Sequence, residues 1–365
     1  MSQSRHRTMP PIRIAILGVF LTGLTALFPP IANHVAAEEP STGLRIYFVD
    51  VLGGAATLVV TPERETILID SGWPGQDDRD PERIVQAIRD AGCERIDHLV
   101  TTHWHIDHFG GVAGLAKRLP IGTFWDRGLP EDGLPGESYP DGPKPDDPLG
   151  IAYRKASQGK RKILKAGDSL PLRGETSAIV LAASGKVIAA PAGAGPNPAC
   201  STAPGALPKD GSDNALSIVL RFHLGSFDFL DCGDLTWNIE RDLVCPVDLV
   251  GKIDLYQVTH HGMDISNHPT LLKTIAPSVA IMNNGPRKGG SAATVQRLRE
   301  IPSLQAAYQL HRNAATGEAD NTAAEMIANA DPAGGRYIRV SVAPDGSSYK
   351  VKLGADGPER TFTSH

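Results

Sequence analysis

Aromatic residues are scarce in this chain of 365 residues, at 5%, and basic charge is short as well, with 36 Lys and Arg against 41 Asp and Glu. Affinity for polyanions grows with the number of phosphates that Lys and Arg neutralise, and single-stranded bases are held by aromatic stacking. A formal net charge of −5 with few rings therefore argues against stable nucleic-acid binding. The densest basic stretch, Arg154-Lys155 and Lys160-Arg161-Lys162 with Lys165, has no aromatic residue interleaved and reads as a solvated face. No Gly-x-Ser-x-Gly occurs, so nothing announces a serine nucleophile.

Long apolar runs are missing too, apart from residues 14–28. Arg5, Arg7 and Arg13 precede that run, Pro29-Pro30 break it, and Val35-Ala36-Ala37 offers small residues before Glu38-Glu39. This is the layout of a cleaved secretory signal over residues 1–37, with 38–365 as one mature domain, secreted or periplasmic. About fifteen apolar residues fall short of the roughly twenty that span a bilayer; an uncleaved anchor is the alternative. No other run reaches that length, so no stable membrane association is expected after cleavage, and no Cys near the run could carry a lipid. Cleavage removes three arginines and no acid, taking the formal charge from −5 to −8. The four cysteines allow three complete pairings in an oxidising compartment. Cys93 and Cys232 read as core residues; Cys200 in a Pro/Gly-rich loop and Cys245 before a Pro are the favoured pair.

Against these absences stands Thr102-His103-Trp104-His105-Ile106-Asp107-His108-Phe109-Gly110-Gly111, three imidazoles and a carboxylate in six positions where a strand runs into a tight loop. Such a loop can turn His103 and His105 to one side and Asp107 and His108 to the other, facing two adjacent cations. Neutral imidazole and carboxylate suit Zn, one or two ions, with Mn or Fe as possible occupants.

Other segments recur in an order that resembles the metallo-β-lactamase-fold hydrolases. Thr66-Ile67-Leu68-Ile69-Asp70-Ser71-Gly72 looks like the first motif, whose Asp, here Asp70, orients a ligand. Phe229-Leu230-Asp231-Cys232-Gly233-Asp234 resembles the strand that delivers a bridging carboxylate, here Asp234. Leu255-Tyr256-Gln257-Val258-Thr259-His260-His261-Gly262 is similar to the fifth motif in its His-His-Gly form. With Asn214-Ala215-Leu216-Ser217-Ile218-Val219-Leu220 and Leu164-Lys165-Ala166-Gly167-Asp168, that form is most similar to the hydrolase domain of the competence DNA-uptake protein ComEC and its secreted stand-alone relatives. The resemblance implies a second ion held by Asp107, His108, Asp234 and one of His260 or His261. We favour His260 because it follows the strand directly, leaving His261 for substrate. One departure stands out: two-metal members usually supply a further His to the first ion, yet none occurs between Phe109 and Arg221. Asp213 and Asn214 are the replacements considered.

Fold class follows from blocks of short β-branched strands, expected at 45–49, 56–60, 66–69, 98–102, 179–183, 217–222, 227–230, 255–258, 279–282, 337–342 and 349–351. Helices fit 112–118, 238–244, 270–275 and 292–300, and one more starts with Asp80 as N-cap and Pro81 in its first turn. The arrangement suits α/β architecture, the four-layer αββα sandwich that the resemblance implies. Stretches 128–150 and 190–211 are dense in Pro and Gly and read as rims of the cleft. Asn284, Arg287 and Lys288 lie in a Gly-rich link from strand to helix that could hold a substrate phosphate or carboxylate; it could equally be a plain turn.

The expected activity is a secreted metal-dependent hydrolase using a metal-bound hydroxide, with Asp107 orienting the water and moving protons. Its substrate is a small molecule or phosphoester, first of all a phosphodiester. Lactam or lactone hydrolysis is the alternative, and a metal-loaded module without turnover a third.

Overall fold

The computed structural model describes residues 43–365; the expected signal segment lies outside them. The first sheet begins with Arg45–Phe48 (β1), Thr57–Val60 (β2), Thr66–Ile69 (β3), Ile96–Val100 (β4), Ile121–Asp126 (β5) and Arg161–Ile163 (β6). The second comprises Ser177–Ala183 (β7), Lys186–Val187 (β8), Val219–Leu224 (β9), Phe227–Asp231 (β10), Leu255–Gln257 (β11), Val279–Met282 (β12), Ala306–His311 (β13) and Ile327–Asn329 (β14). The chain then returns to the first sheet with Ile338–Val342 (β15), Ser348–Leu353 (β16) and Glu359–Thr363 (β17). Strand order is β17-β16-β15-β1-β2-β3-β4-β5-β6 in one sheet and β14-β13-β12-β11-β10-β9-β7-β8 in the other.

Both faces of each sheet are covered, and the period-two alternation of side chains decides which residue goes where. Ile46, Phe48, Val59, Ile67 and Ile69 point to the layer between the sheets, where they meet Leu220, Phe222, Phe227 and Phe229. Their neighbours Tyr47, Leu58, Val60 and Leu68 point outward against Ile84, Ile88 and Leu115. On the far side, Val219, Leu230 and Tyr256 pack under Leu243, Leu271, Leu272 and Leu298. The outward clusters are capped by helices Arg79–Asp90 (α1), Ile106–Phe109 (α2), Val112–Ala116 (α3), Pro148–Ser157 (α4), Trp237–Asp242 (α5), Pro269–Ile275 (α6) and Ala292–Arg299 (α7). Helix, sheet, sheet, helix is the four-layer metallo-β-lactamase fold.

Two local expectations are corrected. Asp80 does not cap α1: the helix starts one residue before it, after Asp78, and the buried Asp80 carboxylate accepts the backbone N–H of Trp73 at 2.8 Å. The stretch 128–150 is not irregular to its end: a helix begins at Pro148 and runs to Ser157, because Asp147 accepts the N–H of Gly150 and Pro148 fills the first turn, where no N–H is needed. Cys200 and Cys245 are bonded, while Cys93 and Cys232 are buried and free. Among the described residues no helix is long and apolar enough to cross a membrane. The two arginines of the basic stretch are charge-matched: Arg161 pairs with Asp126 and Asp132, and Arg154 with Glu131.

Candidate metal centre

Strands β3 and β4 run parallel, as do β10, β11 and β12, and the motif residues leave their C-terminal ends. That edge is where an open α/β sheet places its ligands. Asp70 follows β3 in a left-handed conformation (φ 60°), and its carboxylate ties down the loop that follows β4. It accepts the Thr102 N–H at 2.8 Å and the Thr102 hydroxyl at 2.7 Å, and it holds His108 Nδ1 at 2.6 Å. His108 Nε2 is thereby directed away from Asp70, and it lies 3.1 Å from Asp234 Oδ2.

Two groups of possible ligands result, each with its atoms within 4.8 Å of one another: His103, His105 and Asp234 (the first half-site), and Asp107, His108, Asp234 and His261 (the second). Asp234 belongs to both. In the second, Asp234 Oδ2 is 3.2 Å from His261 Nε2, and Asp107 Oδ2 is 3.3 Å from His261 Nε2 and 3.5 Å from His108 Nε2. Ligands at 2.0–2.1 Å on a tetrahedral ion stand about 3.3 Å apart, so the spacing fits a shared ion. His103 Nε2, His108 Nε2 and His261 Nε2 are buried without a hydrogen-bond partner, which a metal bond would satisfy.

Charge agrees with geometry. Burial would push the Asp107 and Asp234 carboxyls up, yet the facing imidazoles, His108 and then His261, hold both well below the usual carboxylate range. Burial drives His103 well below its ordinary value, leaving the neutral ring that donates to metals. His108 responds the other way: burial would lower it, but Asp234, Asp70 and Asp107 lift it well above. A pocket of carboxylates that raises an imidazole so far calls for a cation.

The fifth motif differs from expectation. His261, not His260, joins the four-residue group. Both histidines sit in left-handed conformations (φ 56° and 54°) in the turn Thr259–Gly262, so the chain reverses immediately after β11 and carries the second ring into the centre. Such strained backbone is held by its surroundings. Gly290 and Ser291 donate their N–H groups to the His261 and Gly262 carbonyls at 2.8 and 2.9 Å, and a Cβ on Gly289 would come within 2.1 Å of the His261 carbonyl oxygen. His260 keeps its Nδ1 on Ser266 at 3.1 Å, with Nε2 3.4 Å from Asp234 Oδ2.

The same contacts revise the Gly-rich link. At its end the Gly290 and Ser291 amides are spent on the fifth motif, the Gly285 amide closes a turn onto the Lys288 carbonyl, and the buried Asn284 side chain donates to the carbonyls of His311 and Gly285, so it braces the scaffold instead of facing substrate. Arg287 is exposed. Lys288 reaches the centre: its Nζ pairs with Asp107 Oδ2 and lies 5.1 Å over the Trp73 ring. Sequence reasoning missed Trp73 entirely, since a lone Trp after Gly72 carries no periodic signal. Of the two residues considered for the missing ligand position, Asp213 falls in neither group, and the Asn214 side-chain oxygen is buried without a hydrogen-bond partner. Asp213 accepts the Trp104 N–H at 2.8 Å and pairs with the buried Arg127, while Asn214 is buried in the turn Asp213–Leu216.

Residues 49–196, less than half of the chain, match the family model of the Metallo-beta-lactamase superfamily. The match includes Asp70 and His103 to His108; Asp234 and His261 lie beyond it. Over 69 residues the chain is 36% identical to an atrochrysone carboxyl ACP thioesterase of Pseudocercospora fijiensis, covering 19% of this chain and 20% of that protein. The chain thus matches only about a fifth of that relative's length. Among solved structures it is similar to the CmlA beta-hydroxylase E377D mutant, at 15% identity over 75% of this chain and 53% of that one, with a TM-score of 0.43. It is also similar to the metallo-beta-lactamase SMB-1 in complex with mercaptoacetic acid, at 18% identity over 52% and 62% of the two chains, with a TM-score of 0.33.

Proposed function

We propose that this protein is a secreted or periplasmic metal-dependent hydrolase that cleaves phosphate esters, in the first place phosphodiesters. The observation that carries the reading is the pair of ligand groups meeting at Asp234. Zn is the favoured ion, with Mn or Fe as alternatives, since imidazole and carboxylate serve all three. Ions bound there would supply Lewis acidity and bring the pKa of a coordinated water toward neutrality. Asp107, held ionised by His108 and His261, would orient the attacking water and take part in its proton transfer. Lys288, anchored between Asp107 and the Trp73 face, offers its ammonium to an anionic oxygen of the substrate or leaving group. One lysine suits a singly charged phosphodiester better than a polyanion, in keeping with the acidic chain and with a small-molecule substrate. The His-His-Gly form of the fifth motif favours the ComEC-like branch, and the Cys200–Cys245 bond favours an oxidising compartment.

Acyl transfer to water is the second reading, favoured by the short thioesterase match. The same centre would polarise the carbonyl of a lactone, lactam or thioester. Rates of the metal-loaded protein on bis(4-nitrophenyl) phosphate, a lactone, an acyl thioester and a chromogenic lactam separate the readings. Hydrolysis of the phosphodiester at least tenfold faster than the others is expected; a preference for any acyl substrate sinks the phosphodiesterase.

A further inference from the structure

His105 differs from every other histidine of the centre in what it touches. Its Nε2 lies 3.1 Å from Asp141 Oδ2, on the turn-rich stretch between β5 and α4. The same oxygen accepts the Asp213 N–H at 2.9 Å, and the Asp213 carboxylate accepts the Trp104 N–H at 2.8 Å. Residues 104 and 105 are thus bracketed by two aspartates linked to each other. The stretch around Asp141 is fixed to the body of the domain: Arg127 donates to the Ser138 carbonyl at 3.0 Å and lies 4.7 Å from the Tyr139 ring centroid, and the Trp104 indole N–H reaches the Gly128 carbonyl at 2.9 Å.

A metal-binding imidazole whose other nitrogen donates to a carboxylate is locked in one tautomer and one orientation, and is a better donor for it. His108 has that arrangement through Asp70, a buried pair at 2.6 Å. We propose that Asp141 is the counterpart of Asp70 for the first half-site, a positioning residue that accepts the Nε2–H of His105 and frees its Nδ1 for the ion. Asp141 belongs to neither group of ligand atoms that meets at Asp234, in line with a role behind the ligand. The loop read as a rim thereby supports a ligand of the first half-site, which gains an orienting carboxylate behind His105. This inference rests on the metal-centre reading above.

The test is metal binding by the full chain. Metal-stripped wild type, Asp141→Ala, Asp141→Asn and His103→Ala are titrated with Zn²⁺ by calorimetry, and the Co²⁺ forms are compared by visible absorption. Wild type should bind two ions, and the event that His103→Ala loses defines the first half-site. Asp141→Ala should weaken that event about 10- to 100-fold and change its Co²⁺ bands, leaving the other event within twofold of wild type. Asp141→Asn, whose amide oxygen can still accept the N–H, should recover most of the loss. Two unchanged events in Asp141→Ala, or an equal loss at both, would overturn the assignment. A wild type that binds no ion would overturn the metal centre itself, so the two failures are distinguishable.

Discussion

In the second half-site, Asp107, His108, Asp234 and His261 are all buried, and the carboxylate behind them, Asp70, is buried at the end of a central strand. In the first, the His105 side chain keeps 28% of its exposure and Asp141 behind it keeps 42%. Both take ligands from the same six-residue motif, so the motif does not determine how firmly each is held. Strand ends at the middle of a sheet are over-determined by ladder hydrogen bonds and packing on two faces, whereas a loop depends on a few surface contacts. The second half-site should therefore bind its ion more tightly and resist substitution around it less gracefully, since every neighbour there is load-sharing and dry.

The largest effect should come from the one residue the halves share. Asp234 Oδ2 lies 3.1 Å from His108 Nε2, 3.2 Å from His261 Nε2 and 4.0 Å from His103 Nε2. Asp234→Ala should remove both ions and bring hydrolysis to background. His103→Ala should cost the first ion alone, because His103 serves no other group. Metal content by mass spectrometry and phosphodiesterase rate on both variants decide the matter. If Asp234→Ala kept two ions while His103→Ala lost everything, the shared ligand would have to be another carboxylate.

A smaller loss is expected at Asp70, which orients His108 and ties Thr102 without touching the ion. Asp70→Asn should weaken the second ion about 10- to 100-fold. Because the pair is buried and short, the loss should exceed that of Asp141→Asn at the first ion. Equal losses in the two variants would erase the contrast between a rigid half and a loop-borne one.

How much of this could be read from sequence depended on whether the partners were neighbours in the chain. His103, His105, Asp107 and His108 are separated by so few residues that any tight loop gathers them. Strand alternation at 45–48 and 66–69 carried the layer order, since residues two apart share a face. The choice between His260 and His261 was hidden because two successive left-handed residues obey no periodicity. Asp141 was hidden for another reason: it lies 36 residues from His105 in a stretch whose Pro, Gly and acids suggest only turns. The Gly-rich link was misread because free amides and amides already bonded to His261 and Gly262 look alike in sequence.

The smallest expected effect concerns the scaffold beside the second half-site. Glu240, on α5, is fully buried; its Oε2 accepts the His268 N–H at 2.8 Å, bracing the segment that carries Ser266 to the His260 ring. Burial pushes its carboxyl up to about 7, against an ordinary value of 4.5, although backbone hydrogen bonds from His268 and Asn267 pull the other way. Below pH 4.5 the acid is protonated folded or unfolded, and its full contribution to stability is present. Between 4.5 and about 7 the unfolded chain ionises while the folded one does not, so stability falls as pH rises through that window and levels off above it. The whole fall is worth about 3 kcal/mol at 1.36 kcal/mol per pH unit. Glu240→Gln removes the titration and keeps an oxygen for the His268 N–H. Relative to wild type, the variant should thus gain stability from pH 5 to about pH 7 and little beyond, by about 2.5 kcal/mol. Denaturant midpoints of both metal-stripped proteins at pH 5, 6, 7 and 8 give the difference free of the pH dependence of metal binding itself. Two parallel curves would mean that Glu240 is already ionised in the folded protein, and that the dry second half-site is flanked by a charge rather than by a neutral acid.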